Sequence, residues 1–487
     1  MNSPFQVGAA RQSIMPTPEL MAQSPDCFPC TRKGEEGSPL QVKALAISFG
    51  DQRWLHVSLD LCVLMNWNYD LIRESIARDT GLALNEIVVA ITHSHSAPYV
   101  TTRDATDPYV DFIRRQSAAA AVAAWAGRVP ARIGHGGTLT AGDSFNQRIH
   151  VAGASFNRRI SMPEGGVFFT RDYREGLAAG RPVDPRLTVI RIDALDGRPI
   201  AGWVRFAAHP ACVIFDAPLS AEYPGYMTER ISETVAQGAP VLFGYGVSGD
   251  VNCVPMFGKE EDSRTLGLNL ARLAAPVFER IQTAVPRRVL AGSRVVDLPL
   301  DPAPSIETLD REIAEVRGFI ADLDRDPALV WVLGVNCWKT WSVAQKKRYA
   351  APLAEWAEKM KAAILAGRTF PRTWPSAVAA LIVDDIGLVF QSGEPFTALG
   401  LSLAARSPLA ETLLMGWGNG GDGYLGTDED KKRGGYEVYT SVRTHGLEAG
   451  LRPLPYAYGA AECLLQECLA MLEEMARRET GDVKREA

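Results

Sequence analysis

The stretch Ile87–Val88–Val89–Ala90–Ile91–Thr92–His93–Ser94–His95–Ser96 decides how the rest of the chain is read. Its apolar, largely β-branched first half predicts a strand over Ile87–Thr92, and its polar second half predicts the loop into which that strand runs. In an extended backbone, residues two apart share a face, so His93 and His95 are expected to project together where the strand ends. Strand ends of this kind are where α/β sheets place their active sites. Two imidazoles at i and i+2 suit a metal, or one metal ligand with a proton-transfer neighbour. Taken alone, the pair reads equally well as two hydrogen-bonded loop histidines.

Working outward, short β-rich runs alternate with helical ones from about residue 40 to 300. Strands are predicted at Trp54–Leu64, Leu187–Ile192 and Ile200–Ala207, the last two joined by the turn signal Asp196–Gly197. Helices are predicted at Asn68–Thr80, Pro108–Trp125 and Pro224–Gln237, with Pro224 placed to start its helix. Further strands at Val378–Val383, Leu388–Gln391 and Thr412–Trp417 precede an amphipathic helix at Ala460–Arg477. The fold class is therefore α/β, with mixed β-sheets flanked by helices. Ile306–Leu323 and Ser342–Leu365 carry apolar residues at helical spacing, which predicts a helical hairpin at 303–370 inserted into one catalytic unit spanning 1–487. With Trp331 to Trp341 as its tip, it reads first as a packed scaffold arm, with a lid or partner contact over Asp326–Trp341 as the alternative.

Two further residues share the placement of His93. His209 follows Trp203–Val204–Arg205–Phe206–Ala207–Ala208 and is stopped by Pro210; Glu394 follows the strand ending near Gln391. An imidazole at the end of an apolar strand needs a partner. Two histidines and a carboxylate from separate strand ends match a catalytic zinc set with a position open for water. Asp60, in Ser58–Leu59–Asp60–Leu61, is a candidate to orient a ligand histidine, or else a satisfied core carboxylate. Gly246–Val247–Ser248–Gly249–Asp250 lacks the second glycine of a serine-hydrolase elbow, and neither a P-loop nor a strand-linked GxGxxG occurs.

Composition narrows the partners. Among 487 residues, 46% are hydrophobic and 22% charged, ordinary values for a globular chain. Lys plus Arg total 51 against 57 Asp plus Glu, a net charge of -6, which offers no footprint for nucleic acid or an anionic membrane. Eight sparse cysteines read as reduced core side chains, and Cys27–Cys30 is a lone CxxC without a second pair. Met1 to Gln23 holds no signal-like apolar run, so the expectation is a cytoplasmic protein acting on a small molecule, compatible with a homo-oligomer.

Taken in order, several segments resemble the catalytic domain of the neutral/alkaline ceramidases, zinc-dependent amidases. They are Thr92–His93–Ser94–His95–Ser96–Ala97–Pro98, Phe206–Ala207–Ala208–His209, Ser220–Ala221–Glu222–Tyr223–Pro224–Gly225 and Gly249–Asp250–Val251–Asn252. Gly393–Glu394–Pro395–Phe396–Thr397, Asn419 through Tyr424 and Tyr436–Glu437 complete the set. The resemblance implies that His93, His209, Glu394 and Tyr424 hold Zn2+, and that His95, Arg148 and Tyr436 act on the substrate. Which of His93 and His95 touches the metal stays open. Asn252 stands where the family's ceramidases carry a serine, and the chain ends where they continue into a further domain. These departures point away from a lipid and towards a small, soluble acylated substrate. The expected activity is zinc-assisted hydrolysis of a linear amide, with a metal-dependent esterase or lactonase, or a metal-free binding protein, as the alternatives.

Overall fold

The computed structural model describes residues 4–29, 31–140, 154–163, 166–214, 217–444, 447 and 452–482. Two sheets stacked face to face carry the molecule. The larger has eight strands in the order Val241–Tyr245, Pro199–Phe206, Arg186–Ala194, Val129–Leu139, Gln6–Ser13, Gln41–Phe49, Gln52–Leu59 and Ile87–Ile91. Its two edge strands run parallel to their neighbours, and the interior pairs are antiparallel. The smaller sheet orders Val289–Pro299, Thr373–Val383, Ile386–Gln391 and Glu411–Met415, the last pair parallel.

The strand Ile87–Ile91 shows why an unbroken apolar run was needed. Val88 packs between the two sheets with Trp54, Trp203 and Phe390. Ile87, Val89 and Ile91 point the other way, into a core shared with helices Asn66–Thr80, Pro108–Ala126, Glu222–Thr234 and Glu260–Arg280. Alternate side chains thus fill different apolar layers, so neither face tolerates polarity. On the far side of the small sheet, helices Thr397–Arg406 and Ala460–Asp482 close a third core. The result is a helix–sheet–sheet–helix stack.

The predicted strands and helices occur with ends shifted by a few residues. The predicted strand Trp54–Leu64 ends at Leu59, and a separate two-residue strand, Val63–Leu64, follows. Helix Glu222–Thr234 starts two residues before Pro224. Between adjacent strands Val289–Pro299 and Thr373–Val383, helices Ile306–Asp322 and Val343–Leu365 pack on one another; Ser305 and Ser342 cap their first turns. Their connection forms a small hairpin, Trp331–Val332 with Val335–Asn336. Among the described residues, no helix is long and apolar enough to cross a membrane, and the cysteines are free thiols.

Candidate functional site

Three chain segments leave their strands and converge. The turn after Ile87–Ile91 brings His93, the turn after Pro199–Phe206 brings His209, and the segment after Ile386–Gln391 brings Glu394. His93 does not continue the strand. Its φ is 59°, a left-handed conformation uncommon for a residue with a Cβ. The expected same-face geometry of an extended His93–Ser94–His95 is therefore not how the two rings meet. A tight turn brings them to 4.8 Å, and His95 N–H is tied to the Pro210 carbonyl at 2.9 Å, just beyond His209. Trp417, also at positive φ, lies against the His93 ring at 4.5 Å. Such strain persists where surrounding contacts hold it, and it gathers at functional sites.

Ring-nitrogen geometry separates this cluster from an ordinary histidine pair. His93 Nδ1 lies 2.5 Å from the Cys62 carbonyl. A carbonyl only accepts, so Nδ1 carries the proton and Nε2 presents a lone pair. His209 Nδ1 lies 3.2 Å from the Ser248 carbonyl, which imposes the same tautomer. Arg158 Nη1, 3.5 Å from that nitrogen, is already committed to Asn252 Oδ1 at 2.9 Å. Two lone pairs therefore face each other, with the Nε2 atoms 3.0 Å apart and Glu394 Oε2 at 3.5 Å from His93 Nε2. A cation relieves that opposition. Bonds of about 2.0–2.1 Å to tetrahedral zinc place neighbouring donor atoms about 3.3 Å apart. His93, His209 and Glu394 are buried, with their donor atoms within 4.8 Å of one another, so they fit such an ion in number, type and spacing.

Tyr424 reaches the cluster through a two-residue parallel pairing, Glu394–Pro395 with Tyr424–Leu425. Glycine is required beside it: Gly393 has φ +87°, and a Cβ there would sit 2.3 Å from the Gly423 carbonyl. The Tyr424 and Tyr245 hydroxyls both hydrogen-bond Glu394; Tyr245 Oη is 3.2 Å from Oε2 and 3.0 Å from His209 Nδ1. Burial nevertheless dominates and pushes the Glu394 carboxyl up to about 8, against the pull of Arg158. Burial likewise takes His95 down to about 3, and its Nε2 has no protein partner. Tyr436 stands 5.9 Å from Tyr424, ring to ring.

Arg148 lies outside the described residues. Asn252 bridges to His209 in the backbone and accepts from Arg158. Asp60 touches neither histidine; it accepts from the Gln41 N–H and from Thr92, and burial raises its carboxyl to about 6. Cys62, two residues later, supplies the carbonyl that orients His93.

Arg158 is the buried guanidinium that the sequence reading missed. It donates to Glu437 Oε1 at 2.8 Å and to the Gly249 carbonyl at 2.7 Å, and it lines the cavity above the histidines. A signal for it exists. Ser144–Phe145–Asn146–Gln147–Arg148–Ile149 recurs eleven positions later as Ser155–Phe156–Asn157–Arg158–Arg159–Ile160. Arg158 stands in the second copy at the position of Gln147, and Arg159 at that of Arg148. Glu222 is a second omission: its carboxylate accepts from the N–H groups of Ser96, Cys212 and Val213, joining the loops that carry His95 and His209.

The cavity over the cluster encloses about 380 Å3, within the range of small-molecule sites. Comparison with known proteins adds the fold. No family profile matches the chain, and no curated protein matches it. Among solved structures it is similar to the neutral ceramidase from Pseudomonas aeruginosa, with a TM-score of 0.61 and 14% identity over 97% of this chain and 75% of that one. It is also similar to a ceramidase solved as a complex with C2, with a TM-score of 0.64 and 14% identity over 98% and 76%. The chain has the neutral-ceramidase fold.

Proposed function

We propose that this chain is a zinc-dependent hydrolase that cleaves the amide bond of a small acylated molecule. One observation carries the reading: the lone pairs of His93 and His209 face each other at 3.0 Å, with Glu394 Oε2 3.5 Å from His93 Nε2, in the lining of one cavity. His93, His209 and Glu394 would hold the ion, with Tyr424 as a fourth, looser partner through its place beside Glu394. A zinc ion held there supplies a water acidified towards pH 7 and polarises an acyl carbonyl.

The chain's own residues divide the remaining work. The Nε2 of His95 is uncommitted, so it is the group available to take a proton from water and pass it to the leaving nitrogen. Tyr436 and Arg158 line the same cavity and supply donors that need no reorganisation when negative charge develops on the acyl oxygen. Arg158 is held for this by Glu437, Gly249 and Asn252. Arg148 keeps the substrate-binding role that the resemblance assigns it.

Elemental mass spectrometry on tag-free protein tests the reading. About one zinc per chain is expected in the wild type, and none in His93→Ala or Glu394→Ala. Turnover of matched N-acyl amides and esters by the zinc-loaded protein then fixes the linkage. A wild type that takes up no zinc when supplied with it defeats the proposal.

A further inference from the structure

The cavity has a second half that proton transfer does not use, and its wall is aromatic. From Tyr424, beside Glu394, rings follow one another outward: Tyr436 at 5.9 Å, Phe169 at 6.4 Å from Tyr436, and Trp338 at 5.4 Å from Phe169. Phe257 and Trp341 then stand edge-on to Trp338, at 4.9 Å and 84° and at 4.5 Å and 85°. The core tryptophans Trp54, Trp203 and Trp356 are sealed on every side. The cavity rings are instead half-buried, and each lines the open volume.

Trp338 and Trp341 belong to the connection between the two inserted helices, and that connection is fastened onto the strand Val167–Phe169. Asn336 accepts from the Phe169 N–H at 2.7 Å and donates to the Phe169 carbonyl at 3.2 Å. Trp338 Nε1 donates to the same carbonyl at 3.3 Å. Arg171 donates to Thr340 at 2.6 Å, and its guanidinium lies over the rings of Phe257 and Trp338 at 5.1 and 4.7 Å. The arm is thus pinned on both sides of Trp338, so the wall is set before anything enters.

We infer that this half of the cavity is a recognition pocket for an aryl group carried on one side of the scissile amide, and that the inserted helical arm is the element that selects it. The inference rests on the hydrolase reading for the bond cleaved, though not for the group bound. Rings arranged edge-to-face present both faces and edges to a further ring, a pairing favoured beyond the area it buries. A long alkyl chain gains burial alone from such a wall, without the ring-to-ring pairing.

The test uses full-length, zinc-loaded protein with N-acetylglycine, N-benzoylglycine, N-acetylphenylalanine and N-lauroylglycine, followed by turnover and by calorimetric binding. An aryl substrate should exceed N-lauroylglycine in kcat/KM by roughly tenfold or more, the range one pocket contact discriminates. Trp338→Ala should raise KM for that substrate and erase the preference, while Trp338→Phe should keep it. Trp331→Ala, at an exposed position of the same connection, should leave the preference intact. N-Lauroylglycine cleaved as well as the aryl amides, or a preference that survives Trp338→Ala, overturns the inference and leaves the hydrolase reading standing. Aryl amides that bind in a Trp338-dependent way but are never cleaved defeat the hydrolase reading and uphold the pocket.

Discussion

Two places in the molecule bring histidine to carboxylate, and they behave as opposites. At the cavity floor, His93 and His209 meet Glu394, with side chains 5% exposed or less. Across the two sheets, His135 from the strand Val129–Leu139 meets Glu411 at 3.3 Å and Asp385 at 3.6 Å, about a third exposed itself. Both His135 nitrogens face acceptors, so a proton satisfies each, and its pKa is raised chiefly by the hydrogen bond to Glu411. At the floor, both Nδ1 atoms lie against backbone carbonyls, His209 Nδ1 also 3.6 Å from Glu394 Oε2, and the Nε2 atoms oppose each other. The same residue types make an ion pair in one place and a cation site in the other. What separates them is the direction of the lone pairs. Metal content probes this contrast most widely: His93→Ala should empty the protein of zinc, and His135→Ala should leave it loaded. Equal loss from both variants would break the comparison.

The next effect in size concerns the charge that borders the floor. Glu437 and Arg158 form an ion pair with side chains 1% and 2% exposed, and Glu437 also receives Arg159. Glu437→Gln would leave Arg158 buried without its carboxylate, a loss expected to cost about 3–5 kcal/mol. Urea unfolding would read this as a lower midpoint at unchanged slope. A variant as stable as wild type would mean that water reaches this pair. Smaller again is Tyr245→Phe, which removes the hydroxyl set between Glu394 and His209. Zinc affinity measured against a competing chelator should fall roughly 10–100-fold, the usual cost of losing a group that orients a ligand. Unchanged affinity would show that Tyr424 alone suffices to hold Glu394.

How far the sequence could be read follows from the range of each interaction. Strand Ile87–Ile91 and the helices of the inserted arm announce themselves through local periodicity, which is why they were legible. His93, His209 and Glu394 were legible because each ends an apolar strand, a position at which a polar side chain needs a reason. Cys62 was not legible as the group that orients His93, because every residue has a carbonyl and only the fold selects one. Glu437 is 279 positions from Arg158, and nothing local marks either as half of a pair. The turn that lifts His93 to positive φ is likewise held from outside, by the Cys62 carbonyl and the Trp417 ring. Trp338 could be seen as part of an aromatic tip, but its seat against Phe169 depends on Asn336 reaching across 167 positions.

The smallest effect sharpens the comparison from its other side. His135 has a pKa raised above its ordinary 6.5, so its contribution to stability is complete below that pH and disappears as pH rises through the folded value. Glu411 is lowered from its ordinary 4.5, chiefly by the hydrogen bond from His135, so its contribution holds above that pH and is lost as pH falls through the folded value. The pair should therefore stabilise the contact between the two sheets most between about pH 4.5 and 6.5. Exposure to solvent keeps the gain below about 1 kcal/mol. The difference in thermal midpoint between wild type and His135→Gln should accordingly be largest near pH 5.5 and shrink towards pH 8. A difference that grows with pH instead would mean that His135 is neutral in the folded protein. Its partnership with Glu411 would then be packing rather than charge, and proton sharing would no longer distinguish it from the cavity floor.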